Sequence, residues 1–544
     1  MGFRLAPIFF VLSLILFVQI VPLCAVDPPA CPLPLTPLEV SPTYTYNYSS
    51  PAFQSLFEQL NSTIQQFTST HGMNSYAVAL VHGNRTIYTN GLTSTKFRIA
   101  SITKTITALG ALILRDRRQL SLDDPVRTHL PDFSIINPYD DHEITIRELM
   151  GHAAGLPREL CNLVYIQCKG NETDILKQVA GMRLIRPPWS SEPAYSNLGI
   201  ALLGHTWEKA TSPRKTWEEF VTEDILKPLG MDSTGIDLDG VELAPSSNPN
   251  ARVDLLWVRP AAQMYSTVED LGRYLQFLIT GQPALISESS IREWISPATV
   301  FNDGKAGYAF PWELRKLPDF TEMVVSKSGD IYSYRSHIAF DPPNQVGVAV
   351  LTVFEPGTTS SSDAFADTVF MPLVKTVQNV NAEFISSFYA GLYTCTYQKY
   401  TYSPTLDFKT QVLWGTVNVS VDPSLGILAD AKIAIMNDKV PVGVNSTWSL
   451  LLKNATEHTF WFGEAPNCGA FAGQIGAGPD LARPNMVGTL YTNMLMFDPR
   501  RGSLEWPAVG GKCYKPGFSS GHTVGVTSSS LTATLLVLFL LYLA

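Results

Sequence analysis

"FRIASITKTITALGALIL" spans residues 97–114. Ser101 stands one helical turn before Lys104, and Ile102, Ile106, Leu109 and Ile113 follow at helical spacing, which predicts a buried helix beginning at the serine. Residues three apart share one helix face. The positive end of the helix dipole disfavours a charged lysine there, and burial acts in the same direction. Both effects lower the lysine pKa and prepare it to take a proton from the serine. The plainer alternative is a capping serine beside a solvated lysine.

The S-x-x-K pattern occurs twice in the chain, so its count decides nothing. The second match, Ser212 to Lys215 in "TSPRKTWEEF", has Pro213 directly after the serine and reads as a helix N-cap with proline at the first helical position. Downstream of Ser101 lie Tyr195-Ser196-Asn197 and Lys327-Ser328-Gly329. Y-x-N also occurs at Tyr88, which precedes the serine, and at Tyr491, which lies far towards the C-terminus. Taken singly, Tyr195 is an ordinary helix-start aromatic and Lys327 a solvated edge-strand lysine. Taken in order within one region, with Ser101 and Lys104, they form a candidate site.

In those three motifs the chain resembles the serine β-lactamase and penicillin-binding-protein family, nearest the class C enzymes, DD-peptidases and related esterases. "ELMGHAAGLP" is similar to the family's His-x-x-Gly-Leu-Pro loop and "MYSTVEDLGRYL" to its Ser-Thr-x-x-Asp-Leu helix. The likeness covers roughly residues 55–380, and a signal, this domain and a β-rich tail together resemble secreted fungal β-lactamase-like proteins. It implies that Ser101 attacks an ester or amide carbonyl, that Lys104 and Tyr195 share the general-base task, and that Asn197 bonds Lys104 or a substrate amide. It also implies that Lys327, Ser328, Gly329 and Asp330 line the substrate, with the N–H groups of Ser101 and Asp330 as oxyanion hole. His152 is expected to shape its loop. Two stretches depart from the family, "RPPWSSEPAYSN" before the tyrosine motif and "RPAAQMYST", so substrate specificity is not carried over. No glutamate loop of the class A kind is visible, which favours a tyrosine-type mechanism. "GFSSG" around Ser519 lacks the strand, helix and later Asp that a nucleophile elbow needs.

Around this core the expected fold is α+β. Phe53 to Thr70 has a helical pattern, and "YAVALVHGNRTIYTNG" reads as a hairpin turning at His82-Gly83-Asn84. Residues 98–280 are mainly helices and loops. "EMVVSKSG", "YRSHIAFD" and "QVGVAVLTVF" are strands, so one antiparallel sheet is expected to join the two ends of the domain. Short strands from Phe384 onward suggest a small β-rich domain. The expected division is a signal peptide at 1–25, an extended lead-in at 26–52, the catalytic domain at 53–380, the β-rich domain at 384–516 and a lipid-anchor signal at 517–544.

The whole chain has 544 residues and a net charge of −9, with no basic run, which argues against nucleic acid as a partner. Arg4 and the apolar run Phe9 to Ile20, with Ala25 before the cut, read as a secretory signal. Leu531 to Ala544 is apolar, preceded by a polar spacer and by Ser519, Ser520 and Gly521, the order of a GPI signal. Membrane contact is thus expected only through a lipid anchor. Seven N-x-S/T sequons, at Asn47, Asn61, Asn84, Asn171, Asn418, Asn445 and Asn454, fit a secreted glycoprotein. Outside the signal the cysteines are Cys31, Cys161, Cys168, Cys395, Cys468 and Cys513, an even set. Bridges Cys161–Cys168, Cys468–Cys513 and Cys31–Cys395 are expected, the first from proximity and the others by elimination. No metal-ligand spacing and no cofactor motif is present. The expected function is an extracellular serine hydrolase acting on a small ester, amide or peptide through an acyl-serine. Acyl transfer to a small metabolite and a non-catalytic surface binding protein on the same fold are the alternatives.

Overall fold

The computed structural model describes residues 44–389 apart from 74, 161–169, 189–192, 302, 318–322 and 356–359, and beyond them the backbone of strands between 391 and 514. Contacts divide the chain into two compact units, one spanning Tyr46–Val377 and the other containing everything from Gln378.

The first unit is built on an eight-stranded antiparallel sheet. Strand β1 (Ser75–His82) turns through Gly83, at φ 57°, into β2 (Arg85–Gly91). The strands at one side of the sheet, β3 (Thr299–Val300), β4 (Ala306–Tyr308) and β5 (Glu313–Arg315), are short; β6 (Val324–Ile331), β7 (Tyr334–Asp341) and β8 (Val346–Val353) are long. Their order across the sheet is β2-β1-β8-β7-β6-β5-β4-β3. β1 pairs with β8 from Ser75↔Val353 to His82↔Val346, so the sheet joins the two ends of the unit. The three small strands were not legible in the sequence; at two or three residues each they carry no period.

Strand β1 is apolar on both faces because both are covered. Ala77, Ala79 and Val81 enter the main hydrophobic core, while Val78 and Leu80 face the other way and are equally buried. Helix α1 (Pro51–His71) presents Phe53, Leu56, Leu60, Ile64 and Thr68 at helical spacing, and its Phe53 ring lies 6.5 Å from that of His82.

Between the strand groups lie the helices that carry the site. α2 (Thr103–Asp116) is buried at every position from Thr103 to Leu114, as expected of a helix enclosed on all sides. α3 (Asn197–Ala210) crosses it closely: a Cβ on Gly110 would lie 2.8 Å from the Trp207 ring, and Trp207 Nε1 donates to Thr107 O. α4 (Val268–Thr280) is capped by Thr267, and α5 begins at Ser362.

Two local expectations are corrected. Ser101 does not begin the helix; it lies in a 3-10 turn, Ala100–Ile102, and the α-helix starts at Thr103. Ala100 at φ 43° turns the chain out of the preceding extended pair, and Ile102 N–H closes the turn on Ile99 O. Ser212 is not an N-cap either. Thr216 caps the following helix, in a capping box with Glu219, and Lys215 is paired with Glu223 and Asp224.

In the second unit, β9 (Gly391–Leu392), β10 (Thr394–Tyr397), β11 (Tyr400–Lys409), β12 (Val412–Ser420), β13 (Ala431–Ile433), β14 (Trp448–Asn454), β15 (Thr459–Glu464), β16 (Met494–Asp498), β17 (Ser503–Trp506) and β18 (Gly511–Tyr514) form one sheet. Its order is β13-β12-β11-β10-β18-β17-β16-β15-β14, with β9 beside β11. The register sets Cys395 opposite Cys513. Cys31, Cys161, Cys168 and Cys468 lie outside the described residues, as do residues 1–25 and 517–544, where a signal and an anchor are expected. Asn47, Asn61, Asn84 and Asn171 are exposed, and the side chains of the other three sequons lie outside the described set. No helix among the described residues is long and apolar enough to cross a membrane.

Candidate active site

The 3-10 turn holds Ser101 half-buried at the head of α2, with Lys104 one turn below it and fully buried. Lys104 Nζ lies 2.9 Å from Ser101 Oγ and donates to Ala261 O at 2.7 Å. Burial lowers the lysine pKa, against Tyr195, which raises it.

Tyr195 enters from the segment before α3 and donates its hydroxyl to Ser101 Oγ at 2.8 Å. The Nζ atoms of Lys104 and Lys327 lie 5.1 Å and 5.3 Å from its ring centre. Burial alone would raise the phenol; the charges of Lys104 and Lys327 outweigh it and hold Tyr195 below the ordinary tyrosine value of 10.0. The segment is placed by the loop carrying His152. His152 sits at φ 57°, its carbonyl accepts from Ala194 N–H and its Nδ1 accepts from Ser196 N–H, and its ring packs 4.5 Å from that of Tyr195. Burial, then the charges of Lys104 and Lys327, keep this imidazole neutral.

Strand β6 supplies Lys327, Ser328 and Gly329. A Cβ on Gly329 would lie 2.3 Å from Ile99 O and 3.0 Å from Ser101 N, so only glycine lets the strand run this close to the nucleophile's amide. Lys327 is 1% exposed and bonds Glu313 Oε1 at 2.5 Å and Ser328 O at 2.8 Å. Burial opposes its charge, but Glu313 and Tyr195 outweigh burial and keep it a cation.

The structure thus brings Ser101, Lys104, Tyr195, Lys327, Ser328 and Gly329 together. Asn197 is oriented elsewhere than expected: its Nδ2 donates to Glu159 Oε1 at 2.6 Å. Sequence reasoning missed Glu313, Glu159, Arg158 (4.8 Å from the Tyr195 ring) and the Ala261 carbonyl. Glu313 stands two residues after the cis Phe310-Pro311 bond in a three-residue strand, with no motif around it. Among the described residues no cluster could hold a metal ion.

An antiparallel sheet with a serine-lysine turn at its face, a tyrosine between two lysines and a K-S-G strand defines a β-lactamase-type domain. The Beta-lactamase family model matches residues 60–368, and the chain belongs to that family. Beta-lactamase-like protein 2 of Dictyostelium discoideum is 32% identical over 333 residues, covering 56% of this chain and 60% of that protein. Protein flp of Staphylococcus aureus (strain COL) is 28% identical over 47% of this chain and 53% of its own length. The chain thus spans less than two thirds of either relative. Among solved structures, a beta-lactamase/D-alanine carboxypeptidase from Yersinia pestis complexed with citrate shares the fold at TM-score 0.52 and 20% identity, covering 60% of this chain and 100% of that one.

Proposed function

We propose that this protein hydrolyses a small ester, amide or peptide through an acyl-enzyme on Ser101. The observation that carries the reading is the meeting of one serine oxygen with a buried lysine amine at 2.9 Å and a tyrosine hydroxyl at 2.8 Å. In the reactive form the Tyr195–Lys104 pair holds one proton fewer. Ser101 Oγ attacks the carbonyl carbon, its proton passes to that pair, and the carbonyl electrons move to oxygen. The oxyanion is stabilised by backbone N–H groups of Ser101 and Asp330. The intermediate collapses as the proton passes to the leaving group, leaving an acyl ester on Ser101. Water then repeats the sequence and releases the acid.

Acyl transfer would differ only in the acceptor that replaces water. The proposal includes an extracellular, glycosylated and lipid-anchored location, supported by the sequence at residues 1–25 and 517–544. A fluorophosphonate probe should label Ser101, as read by peptide mass, and Ser101→Ala should abolish labelling. Undiminished labelling of that variant would mean a different nucleophile, and no labelling of the wild type would favour a binding protein on this fold.

A further inference from the structure

Arg98 stands three residues before Ser101 and is 0% exposed, and among the described residues no carboxylate bonds to it. Its guanidinium donates to uncharged oxygens: Nη1 to Val253 O at 2.8 Å and Ala251 O at 3.3 Å, Nη2 to Gln263 Oε1 at 3.2 Å and Gln263 O at 3.5 Å. Asp254 reaches it only through its field, and is bonded to Arg259 at 2.9 Å. Burial lowers the Arg98 pKa to about 10, so it is still a cation at neutral pH. A buried cation without a counter-ion is costly unless hydrogen bonds compensate it. These four bonds therefore tie Arg98 to the segment 251–263.

Gln263 is buried as well, and both ends of its amide are used. Besides Arg98, Oε1 accepts the Leu255 N–H at 2.9 Å, and Nε2 donates to Ile236 O at 3.3 Å. The segment so held includes the short helix Arg259–Ala262, which lies against α2. Thr107 Oγ1 donates to Pro260 O at 2.7 Å, and Lys104 Nζ donates to Ala261 O at 2.7 Å. Just beyond it, Met264 N–H donates to Thr103 Oγ1 at 3.2 Å, and Met264 O accepts the Ile99 N–H at 2.9 Å. A carbonyl can only accept, so one N–H of Lys104 must point at Ala261, and the rest of the amine is left for Ser101 Oγ at 2.9 Å. The same acceptor favours the charged amine over the neutral one.

We infer that Arg98 and Gln263 are positioning residues of the hydrolase site proposed above: they clamp the segment 251–263 so that the Ala261 carbonyl stays on Lys104 and aims its amine at Ser101. The inference rests on that reading of Ser101. Neither residue touches the reacting atoms; both act through Ala261 and Lys104. The ionisable groups that bear on Lys104 are Tyr195, Lys327, Glu159 and His152, and none of them bonds to Arg98 or Gln263. Those that bear on Arg98 are Tyr332, Tyr334, Asp254 and Arg252, a separate set. The clamp can thus be altered without altering the charges around the lysine.

The test follows the rate of fluorophosphonate labelling of Ser101 against pH in the full chain. Gln263→Leu removes the acceptor that Arg98 and Leu255 share, whereas Gln263→Glu keeps it and gives up only the bond to Ile236. In Gln263→Leu the plateau should fall by about tenfold or more, the scale of a 1 Å misplacement. The rising limb should also move to lower pH, because the charged Lys104 loses its acceptor. Gln263→Glu should stay near the wild type in both respects. Ile64→Ala, in the buried face of α1, supplies a destabilised control whose limb should not move. If melting curves show that Gln263→Leu is unfolded, Arg98→Lys decides: it keeps the charge, but its one nitrogen cannot hold the oxygens of Ala251, Val253 and Gln263 together, so the limb should move as well. A limb that stays in place in the folded variant, whatever its plateau, overturns the inference, as does an equal movement in Ile64→Ala. Titration of the Lys104 ε-carbon in protein labelled with [13Cε]lysine, assigned by its loss in Lys104→Ala, reads the same shift without turnover. If Ser101 is never labelled but that titration moves in Gln263→Leu, the hydrolase reading fails and the clamp stands.

Discussion

Tyr195 and Lys104 compete for one proton beside Ser101, and the pair's titration should govern the rate. Both pKa values are displaced downwards, the lysine by burial and the tyrosine by the charges of Lys104 and Lys327 against burial. The pair must lose a proton before Ser101 can give one up, so kcat/KM should rise with pH and level off above an apparent pKa below 10.0, the ordinary tyrosine value. Tyr195→Phe should cut kcat/KM by about a hundredfold or more and shift that limb, the scale of losing a positioned base. An unshifted profile in a variant of full activity would remove tyrosine from the chemistry. Of the proposed roles, that of Ser101 with Lys104 could be read from helical spacing, and those of Tyr195 and Lys327 came with the family resemblance that their motifs carry. Glu313 could not be read in either way. It meets Lys327 only through the fold, from a different part of the chain, and no local period records such a meeting.

At the scale of elements, the approach of β6 to the serine turn is the tightest requirement. Gly329→Ala would place a methyl 2.3 Å from the Ile99 carbonyl, so either the strand or the turn must move. The expected outcome is at least a tenfold loss of acylation, because misplacement by about 1 Å is costly in a positioned site. Glu313→Ala should leave Lys327 charged and buried without its partner, at a cost of about 3 kcal/mol in chemical denaturation. A smaller loss would mean that water replaces the carboxylate. The long strands and α1 followed from their apolar runs, and the pairing of the domain's two ends followed from strands at both ends. The start of α2 did not, because the positive φ of Ala100 arises where the chain leaves the extended pair for the 3-10 turn, and an alanine side chain does not announce it.

For the molecule as a whole, the second unit shows what sequence counting leaves open. Elimination joined Cys513 to Cys468, but the ladder sets Cys395 opposite Cys513. Facing residues in antiparallel strands lie about 4.5–5.5 Å apart at Cα, inside the range that disulfides span. A non-reducing peptide map is expected to join Cys395 to Cys513; recovery of Cys468–Cys513 would contradict that expectation. Enzymatic deglycosylation should increase mobility through sites that include the exposed Asn47, Asn61, Asn84 and Asn171. The central claim concerns the one serine on which the lysine amine and the tyrosine hydroxyl converge. Intact-mass and peptide analysis after treatment with a fluorophosphonate tests it most directly. One adduct on the peptide containing Ser101, absent from Ser101→Ala and slowed in Lys104→Ala, is the predicted result. An adduct elsewhere, or one that persists in Ser101→Ala, would contradict it.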